Sequence, residues 1–228
     1  MNDFNKKELI SIGAQTQPVM HSVGVGDVYC AVCVHQNSRF NFTDSLTFAS
    51  WIATEYALTT YPMDFKTMVD KILKSDLNKL ATLKGTILPW EIRKSINIYI
   101  AAPDFDFVDS YFIDMVDESL KYHNFSPRRP IKENGQMKDD DSEIVKRNFF
   151  YKDMELLDEC DMLIAVLLYN DPGTLVEIGI AAERKMPTYI YDPKNIARNC
   201  MLTNIPNLVS NDFDIIISEI FNAATKLK

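Results

Sequence analysis

The sequence predicts an α/β protein in which a doubly wound parallel sheet, Rossmann-like or flavodoxin-like, follows a smaller and mostly helical N-terminal part. The first observation is a set of short apolar runs at 96–102, 162–168 and 188–191, which are typical of strands covered on both faces. The second is that amphipathic helices separate these runs in a βαβαβ order. The third is the helical spacing of apolar residues upstream. We expect the two domains at 1–88 and 95–228.

Two helices are predicted in the N-terminal part. Residues 44–58 carry large apolar side chains such as Leu46 and Trp51, which suit a buried helix. Residues 64–83 show a clearer pattern, because their apolar side chains recur at spacings of three and four and so form one helical face. Residues 85–95 form a connector between the two parts of the chain.

The C-terminal part contains helical patterns between its strands, at 108–120, 143–159 and 174–185. Either Asp141 or Ser142 is a suitable N-cap for the second of these helices, since both side chains accept hydrogen bonds from free backbone N–H groups. The alternation of strands and helices places helices on both faces of the predicted sheet.

Polar segments follow the predicted strands and form the expected site. In doubly wound sheets, ligands bind beyond the carboxyl ends of the strands. We therefore expect the functional residues directly after Ala102, Leu168 and Tyr191. Residues 132–142 are polar and acidic, which predicts a mobile loop.

The composition excludes several classes of partner. The formal net charge is −8 and the pI is about 4.9, so the surface repels polyphosphate and we expect no nucleic acid polymer as a partner. No apolar segment reaches the roughly 20 residues that span a bilayer, and the start of the chain is too polar for a secretory signal. We expect a cytoplasmic protein without a membrane partner, and the net charge does not exclude a small nucleoside at a local site.

Cys30 and Cys33 form a CxxC motif. Such a pair is a redox or metal motif in some proteins, and a helical turn that packs into the core in others. We favour the helical turn, because no second pair of cysteines completes a zinc site and His35 alone does not.

The segment 169–181, YNDPGTLVEIGIA, contains the candidate catalytic residues. A proline–glycine turn follows a buried strand, and we expect Thr174 to cap a helix whose first turn contains Glu177. The helix dipole and free N–H groups there stabilise the carboxylate anion, which is the form that a nucleophile requires. Asp171 points into the same cleft, where it can handle protons. Alternatively, both acids are ordinary capping residues.

Three segments, IYIAAPDF, YKDMELLDECDMLIAV and DPGTLVEIGIAAERKMP, resemble the nucleoside 2-deoxyribosyltransferase family in order and spacing, within 96–209. The resemblance implies that Glu177 attacks the anomeric carbon of a 2-deoxynucleoside and forms a covalent deoxyribosyl-enzyme as the base leaves. A second base then takes the sugar, with net retention. By the same resemblance, Asp171 binds the base and donates the proton that its nitrogen requires on leaving.

The resemblance assigns roles to further residues. Tyr99 matches a family tyrosine that orients the nucleophile, with a core tyrosine as the alternative. Asp153 matches a substrate-binding aspartate on the second helix, with a solvated helix charge as the alternative. Pro103, Phe105 and Gly173 complete this group of expected substrate-binding residues. Phe105 suits stacking on a base, although ordinary packing explains it equally well.

A segment near the C-terminus, Asn199-Cys200-Met201, resembles an Asn-x-Met stretch that contacts substrate in the family and that a neighbouring subunit often supplies. We therefore expect Asn199 and Met201 to bind substrate and the protein to form a homo-oligomer. From the sequence alone, the segment is a loop.

Arg128 and Arg129 are candidate phosphate-binding residues, because guanidinium groups pair well with phosphate oxygens. Phosphate binding points to nucleoside monophosphates, which some relatives of the fold hydrolyse. The favoured alternative is two surface arginines near an acidic loop.

The N-terminal part contains HSVGVGD, which resembles the GAGD segment of ribokinase-like (PfkB) sugar kinases. In that family, glycines at positions matching Gly24 and Gly26 open a helix and expose N–H groups to an anion, and the aspartate that matches Asp27 acts as a base. Only the last part of such a fold would fit into residues 1–88. We expect a truncated kinase-like module without phosphoryl transfer.

Three hypotheses for the function remain open. The first is a nucleoside deoxyribosyltransferase that acts on small-molecule nucleosides and on free purine or pyrimidine bases. The second is an N-glycosidase that hydrolyses nucleosides or nucleoside 5′-monophosphates on the same scaffold. The third is a non-catalytic module that senses nucleotides. None of them requires a cofactor, and the sequence shows no cluster of metal ligands, so we predict neither a cofactor nor a metal.

Overall fold

The computed structural model describes residues 2–3, 8–15, 17, 19–82, 88–138 and 140–227 of the chain. The chain divides into two compact units, Met1–Ile87 and Leu88–Lys228. Within the described residues, no helix is long and apolar enough to cross a membrane.

The first unit is mostly helical. A short antiparallel pair of strands precedes its helices. Phe48 and Ile52 on the second helix pack with Ile72 and Leu80 in one small core. The elements are β1 (Asn2–Asp3), β2 (Glu8–Leu9), α1 (Val25–Gln36), α2 (Phe42–Ala57), α3 (Pro62–Leu73) and α4 (Leu77–Thr82).

The single helix predicted at 64–83 is wrong in one respect, because two helices, α3 and α4, occupy this segment. Asp76 lies between them, and its side chain accepts a hydrogen bond from the backbone N–H of Asn78 at 3.0 Å. A short acidic side chain that binds the backbone in this way competes with the continuing helix and starts a new one. The predicted end at residue 83 lies outside the described residues, as does the start of the connector at 85–95.

The second unit is a doubly wound α/β domain, as predicted. In its described part, five parallel strands form one sheet in the order β4-β3-β5-β6-β7. The elements are α5 (Trp90–Arg93), β3 (Asn97–Ala101), α6 (Tyr111–Tyr122), β4 (Ser126–Arg128), α7 (Pro130–Asn134), α8 (Glu143–Asp158), β5 (Met162–Val166), α9 (Pro172–Glu183), β6 (Thr188–Tyr191), α10 (Cys200–Asn204), β7 (Leu208–Ser210) and α11 (Phe213–Ala224).

Alternate side chains of the central strands enter two different cores. Ile98 and Ile100 of β3 point to the face covered by α6 and α11. Tyr99, which lies between them and is paired in register with Leu163 of β5, points to the face covered by α8 and α9. This alternation follows from the two-residue repeat of a strand, and it places the Tyr99 hydroxyl on the same face as α9.

A mobile loop was expected at 132–142, but the first residues of this segment are helical. Residues Pro130–Asn134 form α7, with a proline in its first turn. Composition predicted a loop because the segment is polar, whereas ion pairs and hydrogen bonds with other segments hold it. At the end of the segment, Ser142 is the N-cap of α8 and accepts a hydrogen bond from Val145 N, which confirms one of the two expected caps.

Candidate active site

The candidate site lies where the chain reverses its direction across the sheet. From β3 the chain passes to β4 on one side, and it then returns to β5 on the other side of β3. Connections from the carboxyl ends of β3 and β5 therefore diverge, which opens a crevice at this edge of a parallel sheet. The segment after β5 carries Asp171 and leads into α9 with Glu177.

The hydroxyl of Tyr99 donates a hydrogen bond of 2.6 Å to Oε1 of Glu177. Tyr99 is completely buried. Burial is the largest cause that raises its pKa well above the ordinary value, and the negative charge of Glu177 raises this pKa further. The phenol therefore stays protonated and acts as a donor. A hydrogen bond from a neutral hydroxyl to a carboxylate is short and strong, so it fixes one oxygen of Glu177.

Burial raises the pKa of Glu177 from its ordinary value of 4.5 to about 7. The hydrogen bond from Tyr99 lowers this pKa, and the charges of Asp153 and Asp171 raise it. The expected stabilisation of the anion at the helix start is wrong. The helix begins at Pro172, so Glu177 lies in its second turn, where the backbone N–H groups are already bonded within the helix. Desolvation therefore dominates.

The N-cap of α9 is Asp171. The sequence analysis expected Thr174 at this position, and that expectation is wrong. Oδ2 of Asp171 accepts hydrogen bonds from the backbone N–H of Thr174 at 2.7 Å and from its hydroxyl at 2.9 Å. The capping alternative is therefore realised for Asp171. Both residues are buried, so these bonds fix the position of the carboxylate beside Glu177.

The absence of a side chain at Gly173 leaves room for the Asp171 carboxylate. A Cβ atom at Gly173 would lie 3.1 Å from Oδ2 of Asp171. This distance is shorter than ordinary van der Waals contact, so a larger residue would displace the carboxylate. The structure thus gives Gly173 a steric role in the site, while its expected contact with substrate stays a prediction.

Asp153 reaches the same site from α8. Its charge raises the pKa values of both Glu177 and Tyr99. Its Oδ1 accepts a hydrogen bond of 2.8 Å from Nδ2 of Asn134, at the end of α7. The sequence analysis missed Asn134, because it lies in a segment expected to be a loop and no motif singles it out.

The loop after β3 carries Pro103 and Phe105. Pro103 is buried, and the ring of Phe105 stacks on that of Phe107 with centroids 5.4 Å apart and planes inclined by 11°. Phe107 is 80% exposed, so this aromatic pair extends to the protein surface. Among the described residues, no hydrogen bond or ring contact joins this pair to Glu177, and base stacking by Phe105 stays a prediction.

Both candidate phosphate-binding residues form ion pairs with carboxylates. Arg128 binds Glu133 at 2.8 Å and Glu159 at 3.0 Å. Arg129 is only 4% exposed, so the interpretation as a surface residue is wrong for it. It binds Asp104 through two nitrogens at 2.7 and 2.8 Å. Phosphate binding stays untested, and these ion pairs count against it because they engage the guanidinium groups.

Asn199 and Met201 belong to α10. The Asn199 side chain accepts a hydrogen bond from Met201 N and so caps this helix. Met201 is 59% exposed. In the described part of the chain, no hydrogen bond, ion pair or ring contact joins either residue to Glu177 or Asp171. Their role in substrate binding, and supply by a neighbouring subunit, stay predictions.

The segment HSVGVGD, for which a kinase-like origin stays a prediction, lies in the first unit. As expected, its glycine-rich turn opens a helix, since Gly24 with φ 80° precedes α1. Asp27 lies in the first turn of this helix and is exposed. Cys30 and Cys33 lie in the same helix and are free thiols, of which only Cys33 is buried. The helical turn that we favoured for this pair is confirmed, whereas its packing into the core holds for Cys33 and is wrong for Cys30.

A separate open cavity of about 600 Å³ lies along the edge strand β7. Asp192 is its buried charged residue, and the backbone N–H groups of Ile196 and Ala197 bind both oxygens of this carboxylate. None of the residues around Glu177 lines this cavity. Within the described residues, no group of three or more His, Cys, Asp or Glu side chains is placed to hold a metal ion.

Comparison with known protein families gives a match for the second unit. The family model described as nucleoside 2-deoxyribosyltransferase matches residues 98–217. These include Tyr99, Asp153, Asp171 and Glu177 but none of the first unit.

Two solved structures are similar at low identity. A 2-deoxyribosyltransferase from the psychrotolerant bacterium Bacillus psychrosaccharolyticus is 20% identical with a TM-score of 0.47, over 53% of this chain and 89% of that chain. A conserved protein from Enterococcus faecalis V583 is 16% identical with a TM-score of 0.45, over 58% of this chain and 99% of that chain. The search of curated proteins gave no match.

Proposed function

This chain belongs to the nucleoside 2-deoxyribosyltransferase family, and we propose that it transfers 2-deoxyribose between bases through a covalent intermediate on Glu177. The observation that supports this proposal most strongly is the 2.6 Å hydrogen bond from Tyr99 to Glu177, within a cluster of carboxylates at the carboxyl edge of the sheet. A buried, oriented carboxylate is the group that a double-displacement reaction at an anomeric carbon requires.

In the first step, Oε2 of Glu177 attacks the anomeric carbon, since Oε1 is held by Tyr99. A carbon–oxygen bond forms, the glycosidic carbon–nitrogen bond breaks, and its electron pair moves to the base nitrogen. As substrate binds, Asp171 takes up a proton from solvent and passes it to that nitrogen, so that the base leaves in its neutral form. Oδ2 of Asp171 is engaged by Thr174, so Oδ1 is the oxygen that carries the proton.

In the second step, a nitrogen of the acceptor base attacks the same carbon. The new carbon–nitrogen bond forms, the ester bond to Glu177 breaks with its electron pair returning to the carboxylate, and Asp171 recovers a proton from the base. Two inversions give net retention at the anomeric carbon. In this reaction Asp153 accepts a hydrogen bond from the substrate, and Pro103 and Phe105 line the base pocket.

Nucleosides suit the site better than their monophosphates. Asp153, Asp171 and Glu177 give the site a negative field, which opposes a phosphate dianion. Arg128 and Arg129, which would have to balance that charge, pair with carboxylates of the protein. The alternative of a nucleoside monophosphate hydrolase therefore has less support than the transferase. The base-exchange experiment below distinguishes transfer from hydrolysis of unphosphorylated nucleosides.

The oligomeric state, the cellular location and the origin of the first unit stay predictions. They include a homo-oligomer in which Asn199 and Met201 reach a neighbouring site, a cytoplasmic location, and a kinase-like origin for the first unit with Gly24, Gly26 and Asp27. The family match over residues 98–217 tests none of them.

The test is base exchange by the purified protein. Deoxyinosine or thymidine is incubated with and without free adenine, and the products are separated by chromatography. We expect deoxyadenosine to form only with adenine, and to disappear in Glu177→Gln. Glu183→Gln is the matched control, because Glu183 lies on the same helix and is exposed. Free base released equally without adenine indicates a hydrolase, and ligand binding without turnover indicates the sensing module.

A further inference from the structure

Asn134 connects the segment between β4 and α8 to the candidate active site. It is the last residue of α7 and is half-buried. Its Nδ2 donates a hydrogen bond of 2.8 Å to Oδ1 of Asp153 on α8. An amide that donates to a partly buried carboxylate fixes the orientation of the carboxylate and stabilises its ionised form.

The segment that carries Asn134 is itself fixed on both sides of this residue. On one side, Arg129 precedes α7 and forms a two-nitrogen ion pair with Asp104 in the loop after β3. On the other side, the side-chain oxygen of Gln136 accepts a hydrogen bond from the backbone N–H of Asp106 at 3.3 Å. Asn134 therefore projects from a segment tied to the loop after β3, which gives its contact with Asp153 a defined geometry.

Asp153 is sensitive to this contact. Burial raises the pKa of Asp153, whereas the hydrogen bond from Asn134 and the charge of Lys152 lower it. Among the described residues, the charge of Asp153 also acts on Glu177 of α9 and on Tyr99 of β3. Without the Asn134 donor, the charge of the adjacent Lys152 still stabilises the ionised form of Asp153, but the pKa of Asp153 rises. Loss of this hydrogen bond also allows the carboxylate to rotate.

We propose that Asn134 is a positioning residue for the reaction, which acts on substrate through Asp153 by holding its Oδ1 and presenting its Oδ2 to the sugar. In the described residues, Oδ2 of Asp153 has no hydrogen-bond partner, so it is the oxygen that a substrate hydroxyl can reach. This role rests on the proposed function. By this proposal, Asn134 contributes to the correct placement of the sugar, although it lies outside the three segments that carry the family resemblance.

The test is a double-mutant cycle with Asn134→Ala, Asp153→Ala and the double variant, measured by kcat and KM for base exchange. Loss of a hydrogen bond to a charged group costs about tenfold or more in kcat/KM. We expect this loss for Asn134→Ala, with a larger change in KM than in kcat, and no further loss when Asn134→Ala is added to Asp153→Ala. Asn134→Leu, which keeps the approximate shape and removes the donor without adding a charge beside Asp153, should reproduce the loss.

Two controls separate positioning from folding. Asn222→Ala removes an amide that donates to Glu219 on α11, on the other face of the sheet, and should leave kcat and KM unchanged. Thermal unfolding of each variant monitors the fold. Losses that add in the double variant would overturn the proposal, because Asn134 would then act independently of Asp153.

A second measurement does not depend on turnover. Carboxyl NMR of aspartate-labelled protein gives the titration of Asp153 directly. In Asn134→Ala the pKa of Asp153 should be higher than in the parent protein, and an unchanged pKa would overturn the proposal. If the parent protein shows no turnover, the proposed function fails, and this titration still decides whether Asn134 controls Asp153.

Discussion

The hydroxyl of Tyr99, in the middle of β3, holds Oε1 of Glu177, in the second turn of α9, at 2.6 Å. This hydrogen bond joins an inner strand of the sheet to the candidate nucleophile. Because Tyr99 is completely buried, few other conformations are open to either side chain. The same contact lowers a pKa that burial raises, so it controls both the direction and the charge of Glu177.

Removing this donor should weaken catalysis without unfolding the protein. In Tyr99→Phe, the loss of a hydrogen bond to a carboxylate should reduce kcat/KM by roughly ten- to a hundredfold. The pKa of Glu177 should also rise, so that the acidic limb of the pH profile moves to higher pH. Tyr189→Phe, which changes a buried tyrosine facing the opposite core, is the control. Equal effects of the two variants would contradict a specific role for Tyr99.

Activity should depend on pH near neutrality. The nucleophile must be ionised, and burial raises the pKa of Glu177 to about 7. We therefore expect kcat/KM to increase as pH rises through about 7, since this parameter reports the ionisation of the free enzyme. The measurement is the initial rate of base exchange at low nucleoside concentration over pH 5–9 in buffers of constant ionic strength. A flat profile between pH 5 and 8 would contradict the assignment.

Glu177 should also make the protein less stable at neutral pH than at acidic pH. Its folded pKa, about 7, lies above its ordinary value of 4.5, so the native state holds a proton that the unfolded chain releases between these values. The free energy of unfolding falls as pH rises through this interval, by roughly 3 kcal/mol when both states are ionised.

Replacement of this carboxylate tests that linkage. Glu177→Gln should raise the free energy of unfolding more at pH 8 than at pH 5, measured by chemical denaturation. Glu183→Gln, on the exposed side of the same helix, should show no such difference. An equal change at both pH values in Glu177→Gln would mean that the carboxyl group has an ordinary pKa.

Helix α9 offers a matched pair of glycines, Gly173 in its first turn and Gly179 further along the helix. In Gly173→Ala, the new Cβ would lie 3.1 Å from Oδ2 of Asp171, so the cap should be displaced at a cost of about 0.5–2 kcal/mol, together with a loss of activity. In Gly179→Ala, no atom lies within 4 Å of the new Cβ, and helix propensity should stabilise the protein by roughly 0.5–1 kcal/mol. Thermal unfolding and kcat/KM distinguish the two. Similar effects would contradict the steric role of Gly173.

The sequence was sufficient to predict the three inner strands of the sheet, β3, β5 and β6, and the segment that carries Asp171 and Glu177, because these signals are local. The apolar run of β5 and the alternation of β3 with helices depend on residues close in the chain, as does the motif that contains Asp171 and Glu177. The helices α10 and α11 and the strand β7 were not predicted. The division of 64–83 into α3 and α4 followed from one capping aspartate, Asp76.

The electrostatics of the site were beyond the sequence. The charge state of Glu177 depends on burial by residues distant in the chain, and this burial overrides the helix dipole that the local pattern indicated. Similarly, the polar composition around Asn134 suggested a loop, whereas ion pairs with Asp104 and a hydrogen bond to Asp153 fix the segment. Such contacts become visible only when distant segments are brought together.

The central claim is that Glu177 carries the sugar during the reaction, and intact-protein mass spectrometry after an acid quench tests it most directly. Protein mixed with a 2-deoxynucleoside in the absence of an acceptor base should gain the mass of one 2-deoxyribosyl group, and peptide mapping should place it on Glu177. Adding adenine before the quench should remove the adduct and form deoxyadenosine. Rapid turnover without any adduct, or turnover that persists in Glu177→Gln, would contradict the account.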